Sequence, residues 1–157
     1  MNKSLPNIIP ETAKVIFCGI SAGRESLMMQ HYYASPRNKF WRVLHEVAFT
    51  EMQIKTGITQ EVKDYNYNYL KSKGIGLTDL NDDPLALTAL IKDTKPKVLA
   101  FNGKKAAELY FNRPVELGKQ KEKIGKTIIY VLSSTSNSAN AFWNKRHWRE
   151  VSNIIKK

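Results

Sequence analysis

Apolar positions along the chain follow two different spacings. Short, mostly apolar runs occur at Lys14–Ile20 (KVIFCGI), Gly74–Leu80 (GIGLTDL), Lys97–Gly103 (KVLAFNG) and Thr127–Leu132 (TIIYVL). Runs of this length without strict polar alternation mark strands covered on both faces, as in a parallel sheet. Between them apolar residues recur at helical spacing: Phe40, Leu44 and Val47 within Arg37–Phe49, then Val62, Tyr65 and Tyr69, then Leu87, Leu90 and Ile91, and finally Trp148, Val151 and Ile155. Element ends carry their own signals. Thr59 is placed to cap a helix that Gly74 follows, and Asp83-Pro84 reads as a cap and first helical residue. A further helix after Gly103 stops near Arg113-Pro114. Strands alternating with helices predict an α/β fold, a three-layer sandwich with a central, mostly parallel four-stranded sheet flanked by helices. Residues 1–13 are polar with two prolines and read as a loose lead-in, leaving 14–157 as one domain. A chain of 157 residues buries roughly 70% of its unfolded surface without disulfides or metals.

Open parallel sheets bind ligands outside the carboxyl ends of their strands. Those ends here carry Gly19-Ile20-Ser21-Ala22-Gly23, Thr78-Asp79, Asn102-Gly103 and Ser133-Ser134-Thr135-Ser136-Asn137. The four clusters are expected on one rim. They supply small residues, hydroxyls and amides, and few acids or bases. Such a rim suits close backbone approach and hydrogen bonding better than proton shuttling by a strong base.

Charge narrows the partner. The chain has 25 Lys and Arg against 14 Asp and Glu, a formal charge of +11. Ten basic residues against three acidic ones place +7 of it between Arg113 and Lys157. This balance favours a polyanion. No segment shows an amphipathic helix with a basic face, and no apolar run approaches the roughly 18 residues of a membrane span. Nucleic acid is therefore expected before a membrane. The first ten residues lack the apolar core of a signal peptide, so a soluble, cytoplasmic protein is expected. Cys18 is the single cysteine, which excludes a disulfide framework, and His31, His45 and His147 lack metal-ligand spacing. Neither metal nor cofactor is expected.

Two local patterns carry chemistry. Gly19–Gly23 matches G-x-S-x-G, and Ser21, Asp79 and His147 follow the chain order of a hydrolase triad. That elbow belongs at the middle of a larger sheet with a helix directly after it, whereas the stretch to Pro36 reads mainly as loop. The second pattern is Gln30–Trp41 (QHYYASPRNKFW), where aromatic, amide and basic residues interleave. Phe40 and Trp41 read as core. Tyr32 and Tyr33 precede the helix at the expected rim, where an aromatic can stack on a flat base for about 1–3 kcal/mol.

The ordered segments FCGISAG, YYASPRNKFWRVLHEVAFT, KGIGLTDL, KVLAFNGKKAA and VLSSTSNSANAFW resemble the uracil-DNA glycosylase superfamily. The similarity extends from Lys14 over nearly the whole chain, toward the mismatch-specific uracil/thymine branch and also the deoxyinosine glycosylases. The resemblance implies a monomeric enzyme that acts on double-stranded DNA containing a damaged or mismatched base. It would flip out a deaminated base, uracil first and hypoxanthine second, and hydrolyse its N-glycosidic bond without a cofactor. The branch positions its attacking water with an Asn in G-I-N-P-G, a position held here by Ser21, with Asn38 as a nearby alternative. Tyr33 falls on the base-stacking position, and Ile20, Gly23 and Ser134 on the base pocket. Ser136, Asn137, Ser138 and Asn140 fall on the DNA wedge, followed by Lys145 and Arg146 at the phosphates. Small residues stand where a bulky wedge is usual, unless Phe142 or Trp143 reaches in. The Ser at position 21 also allows a second reading, a lesion- or abasic-DNA-binding module with weak or absent catalysis.

Overall fold

The computed structural model describes residues 4–47, 49, 50 and 59–157. Residues 1–3 of the expected lead-in and residue 48 of the first predicted helix lie outside the described residues. In chain order the elements are β1 (Val15–Gly19), α1 (Arg24–Met29), α2 (Phe40–Glu46), α3 (Gln60–Ser72), β2 (Ile75–Asp79), α4 (Pro84–Thr94), β3 (Val98–Asn102), α5 (Lys104–Phe111), β4 (Gly118–Ile124), β5 (Thr127–Leu132) and α6 (Arg146–Ile155). A short 3₁₀ helix, Asn137–Phe142, lies between β5 and α6.

The sheet order is β2-β1-β3-β5-β4. The first four strands are parallel, with Phe17 opposite Leu77 on one side and Ala100 on the other. Their continuous apolar sequences have the expected cause, since β1 is buried at all five positions. The sheet has five strands rather than four. β4 pairs antiparallel with β5 at the edge, and its sequence GKQKEKI is apolar only at Ile124. An edge strand has one paired side and one solvated face, so it lacks the apolar run that marked the other four. α1 is a second addition, six residues beginning directly after Gly23 where a loop was expected.

Predicted caps fall where the sequence placed them. The Thr59 hydroxyl accepts from the Val62 amide at 3.2 Å, and Asp83 accepts from the Ala86 amide at 3.0 Å. The lead-in is more ordered than its composition suggested. Ile8 bridges Leu77 antiparallel, Leu5 is buried, and the Tyr32 hydroxyl donates to the Pro6 carbonyl at 3.0 Å. Tyr32 is thus packed into the core while still lining a cavity at the rim. Among the described residues no helix is long and apolar enough to cross a membrane.

One core lies on each side of the sheet. The face toward α2, α3 and α6 gathers Phe17, Phe40, Phe49, Leu70 and Trp148, and the other gathers Ile16, Leu87, Ile91, Leu99 and Phe101. Phe17 is central to the first. Its ring centroid lies 5.4 Å from those of Phe40, Phe49 and Trp148, edge-on to the two phenylalanines and stacked on the indole. Phe17→Ala should therefore cost about 3–5 kcal/mol in urea denaturation. A loss below about 1 kcal/mol would contradict this packing.

Candidate functional site

Because β1, β2, β3 and β5 run in parallel, their four carboxyl ends surround one cavity of about 1110 Å³. Gly19, Asp79, Asn102 and Ser133–Ser136 line it from those ends, and Tyr33, Ser35 and Asn38 close it from the segment before α2. A nucleotide base and its sugar fit within such a volume.

The walls are joined through Thr135, which is fully buried. Its amide donates to the Asn102 carboxamide oxygen at 3.0 Å, and its hydroxyl accepts from the Asn102 amide at 2.9 Å. Its carbonyl accepts from the Lys39 amide at 3.1 Å. Lys39 adds a second tie, with its ammonium on the Asn140 side-chain oxygen and 4.2 Å from the Trp143 ring centroid. A third comes from Ser133, whose hydroxyl contacts the Phe142 carbonyl and the Asn144 amide while its own carbonyl takes the Trp148 indole N–H.

The structure places Ile20, Ser21, Gly23, Tyr33, Asn38, Ser134, Ser136 and Ser138 around the cavity. Asn137, Asn140, Lys145 and Arg146 stand outside its lining. Asn140 is engaged by Lys39, and Arg146 pairs with Glu150 at 3.5 Å. Ser134, Ser136 and Ser138 form a chain of hydroxyls, at 3.0 and 3.2 Å, along one wall. Ser21 is exposed, and among the described residues its hydroxyl meets no partner. Asn38 is partly committed, its Oδ1 accepting from the Phe40 amide at 3.0 Å at the start of α2.

Tyr33 is held in the left-handed region at φ 51°. This is costly for a bulky side chain. Its ring stacks on Phe40 at 4.0 Å. Its hydroxyl is buried without a hydrogen bond and would lie 3.3 Å from a Cβ placed on Gly19. Burial, and then Asp79, hold that phenol well above its usual range.

Asp79 and Asn102, expected on the rim as strand-end residues, were assigned no part in binding the base. Their signal was positional, as polar residues closing otherwise apolar strands. A Cβ on Gly19 would meet the Asp79 carboxylate oxygen at 2.8 Å, so a side chain there would push the Asp79 carboxylate out of its present position. Burial pushes the Asp79 carboxyl up to about 6, with the Gly19 backbone pulling the other way.

The hydrolase geometry is absent. α1 does follow Gly23 as a nucleophile elbow would require, but His147 lies elsewhere, with its ring against Gly118 and Nδ1 2.8 Å from Glu150. Nor does His31 reach the cavity lining, being buried with Nδ1 2.8 Å from the Tyr32 carbonyl. Among the described residues no cluster of His, Cys, Asp and Glu could hold a metal.

Two comparisons with known proteins agree with this geometry. The family model described as the uracil DNA glycosylase superfamily matches residues 6–155. A solution NMR structure of a candidate uracil DNA glycosylase from Methanosarcina acetivorans superposes with a TM-score of 0.68 at 22% identity, covering 100% of both chains. At that identity the second match speaks for the fold.

The raised Asp79 carboxyl has a consequence for stability. Between about pH 4 and 6 the folded state holds a proton that the unfolded chain releases, so this group's contribution falls as pH rises through that window. Asp79→Asn removes the ionisation cost and should stabilise the protein by about 2–3 kcal/mol at pH 8 and by little at pH 4. Urea denaturation at both pH values checks this. An equal effect at the two would show that Asp79 is not destabilised by burial.

Proposed function

The chain belongs to the uracil DNA glycosylase superfamily, and we propose on that premise that it is a monofunctional DNA glycosylase acting as a monomer on duplex DNA. Its substrate is a deaminated base, uracil in a mismatch first and hypoxanthine second. The observation that carries this reading is the cavity itself, where the Gly19–Gly23 loop, Tyr33, Asn38 and the Ser134–Ser136 hydroxyls meet from three separate stretches of chain. The family match does not favour a binding-only module, which rests on Ser21 alone.

The chemistry asks little of a base catalyst. Water attacks C1′ as the glycosidic bond breaks, the bonding pair leaves with the base, and the sugar passes through an oxocarbenium-like state. Positioned donors and a placed water do most of the catalysis in such a step. Ser21 has a hydroxyl free to orient water. Asn38 has its oxygen held by the Phe40 amide, which fixes the carboxamide plane and leaves Nδ2 as a donor. The rim peptides around Gly23 and the Ser134 hydroxyl face the base edge, and Tyr33 supplies the ring surface.

Asp79 adds a constraint on this departure. A carboxylate on the cavity wall opposes the negative charge of a leaving base, whereas the protonated acid does not. Base release is therefore expected to slow as pH rises through about 6, and Asp79→Asn to remove that dependence. Phe142 supplies the bulk that Asn137–Asn140 lack. It lines the cavity yet is 82% exposed, as suits an apolar wedge entering the base stack.

Single-turnover base release from duplexes carrying uracil, hypoxanthine, xanthine or thymine mispairs tests the reading. Uracil opposite guanine should be released fastest and hypoxanthine next, and absence of release from all four would refute the activity. Asn38→Ala should lower the uracil rate about 10²-fold, the scale of one lost transition-state donor. An unchanged rate would remove Asn38 from the machinery.

A further inference from the structure

The edge strand carries a feature that the cavity does not use. In β4, Lys119, Lys121 and Lys123 are exposed while Gln120 and Glu122 between them are half-buried. The register sets Lys119 opposite Tyr130 and Lys123 opposite Ile128, both belonging to the face covered by α6. Glu122 is taken up by Arg113. Lys121 also lies close enough to the Glu122 carboxylate to stabilise its charge, whereas among the described residues Lys119 and Lys123 meet no acidic side chain. The edge strand therefore presents three exposed lysines at alternate positions, of which Lys119 and Lys123 are uncompensated.

This row is continuous with the site. Leu117, immediately before β4, lines the cavity, and the His147 ring packs on Gly118 at the strand's first residue. That contact sets α6 beside β4, with exposed Lys145 and Arg149 nearby. Lys119 and Lys123 pair with Tyr130 and Ile128, only two residues apart on β5, so a bulge between them gathers the three lysines more closely than a regular strand would.

We propose that β4 is a second DNA-contacting surface, on which Lys119, Lys121 and Lys123 track the phosphate backbone of the duplex beyond the flipped nucleotide. It rests on the glycosylase reading for the duplex's place at the cavity mouth. Charge complementarity and continuity with the rim select a nucleic-acid backbone as the occupant. Lysines also keep edge strands from pairing with one another, and that role alone would leave DNA affinity untouched.

The test uses the full chain and a 30-base-pair duplex with one tetrahydrofuran abasic site, beside the same duplex undamaged. Fluorescence anisotropy over a salt series compares the parent with a Lys119→Gln/Lys121→Gln/Lys123→Gln variant. Loss of three phosphate contacts should make the slope of log K against log salt shallower by about 2 to 3, on both duplexes. Single-turnover uracil release at saturating enzyme should stay within twofold, because these residues do not touch the cavity. The corresponding triple Arg variant should keep the parent slope. A second readout needs no variant: trimming the duplex arm on one side of the lesion should give the same shallower slope in the parent protein. Equal slopes for parent and Gln variant would overturn the ladder while leaving the glycosylase reading intact. Failure of the parent to bind either duplex would overturn both.

Discussion

Thr135 is the point through which the rest of the site is held. Its amide and hydroxyl are both taken by the Asn102 carboxamide, and its carbonyl is taken by the Lys39 amide. A fully buried threonine thus has every polar group satisfied by two residues that are distant in sequence. An unpaired buried polar group costs about 1–3 kcal/mol, so alternative placements of this loop are disfavoured. The consequence is geometric. The β3 end, the β5 loop and the start of α2 meet at one fixed corner, and the cavity is the space that they and Gly19 enclose.

The aromatic core works beneath that corner toward the same end. Trp148 anchors α6 under the sheet by stacking on Phe17 and donating to the Ser133 carbonyl. Phe40 lies between this cluster and Tyr33, so the tyrosine facing the cavity rests on a ring that is itself wholly packed. The strained backbone of Tyr33 is tolerated for that reason. Strain of this kind persists where the surroundings over-determine the conformation.

Much of this was legible in the sequence. Four strands were visible because two-sided burial demands continuous apolar runs, and the caps at Thr59 and Asp83 were visible because side-chain oxygens must meet unpaired helix amides. The rim followed from the parallel order. β4 was not legible, since a strand paired on one side and solvated on one face shows little except lysines and a glutamate. α1 was too short and polar to have a periodicity. Asp79 and Asn102 were legible as rim residues but not in their roles, which arise from the neighbours that folding supplies, Gly19 and Tyr33 for one and Thr135 for the other. Lys39 likewise read as one cation in a basic run, yet it is a buried tie between two loops.

The central claim is that the cavity at the parallel strand ends receives a base extruded from DNA. A crystal structure of the protein with a duplex carrying 2′-fluoro-deoxyuridine opposite guanine, a nucleotide that resists cleavage, tests it most directly. The account predicts the uracil inside the cavity, its ring against Tyr33 and its sugar beside Ser21 and Asn38, with Phe142 in the vacated stack. A duplex bound with the uracil still stacked in the helix, or seated on another face of the protein, would contradict it.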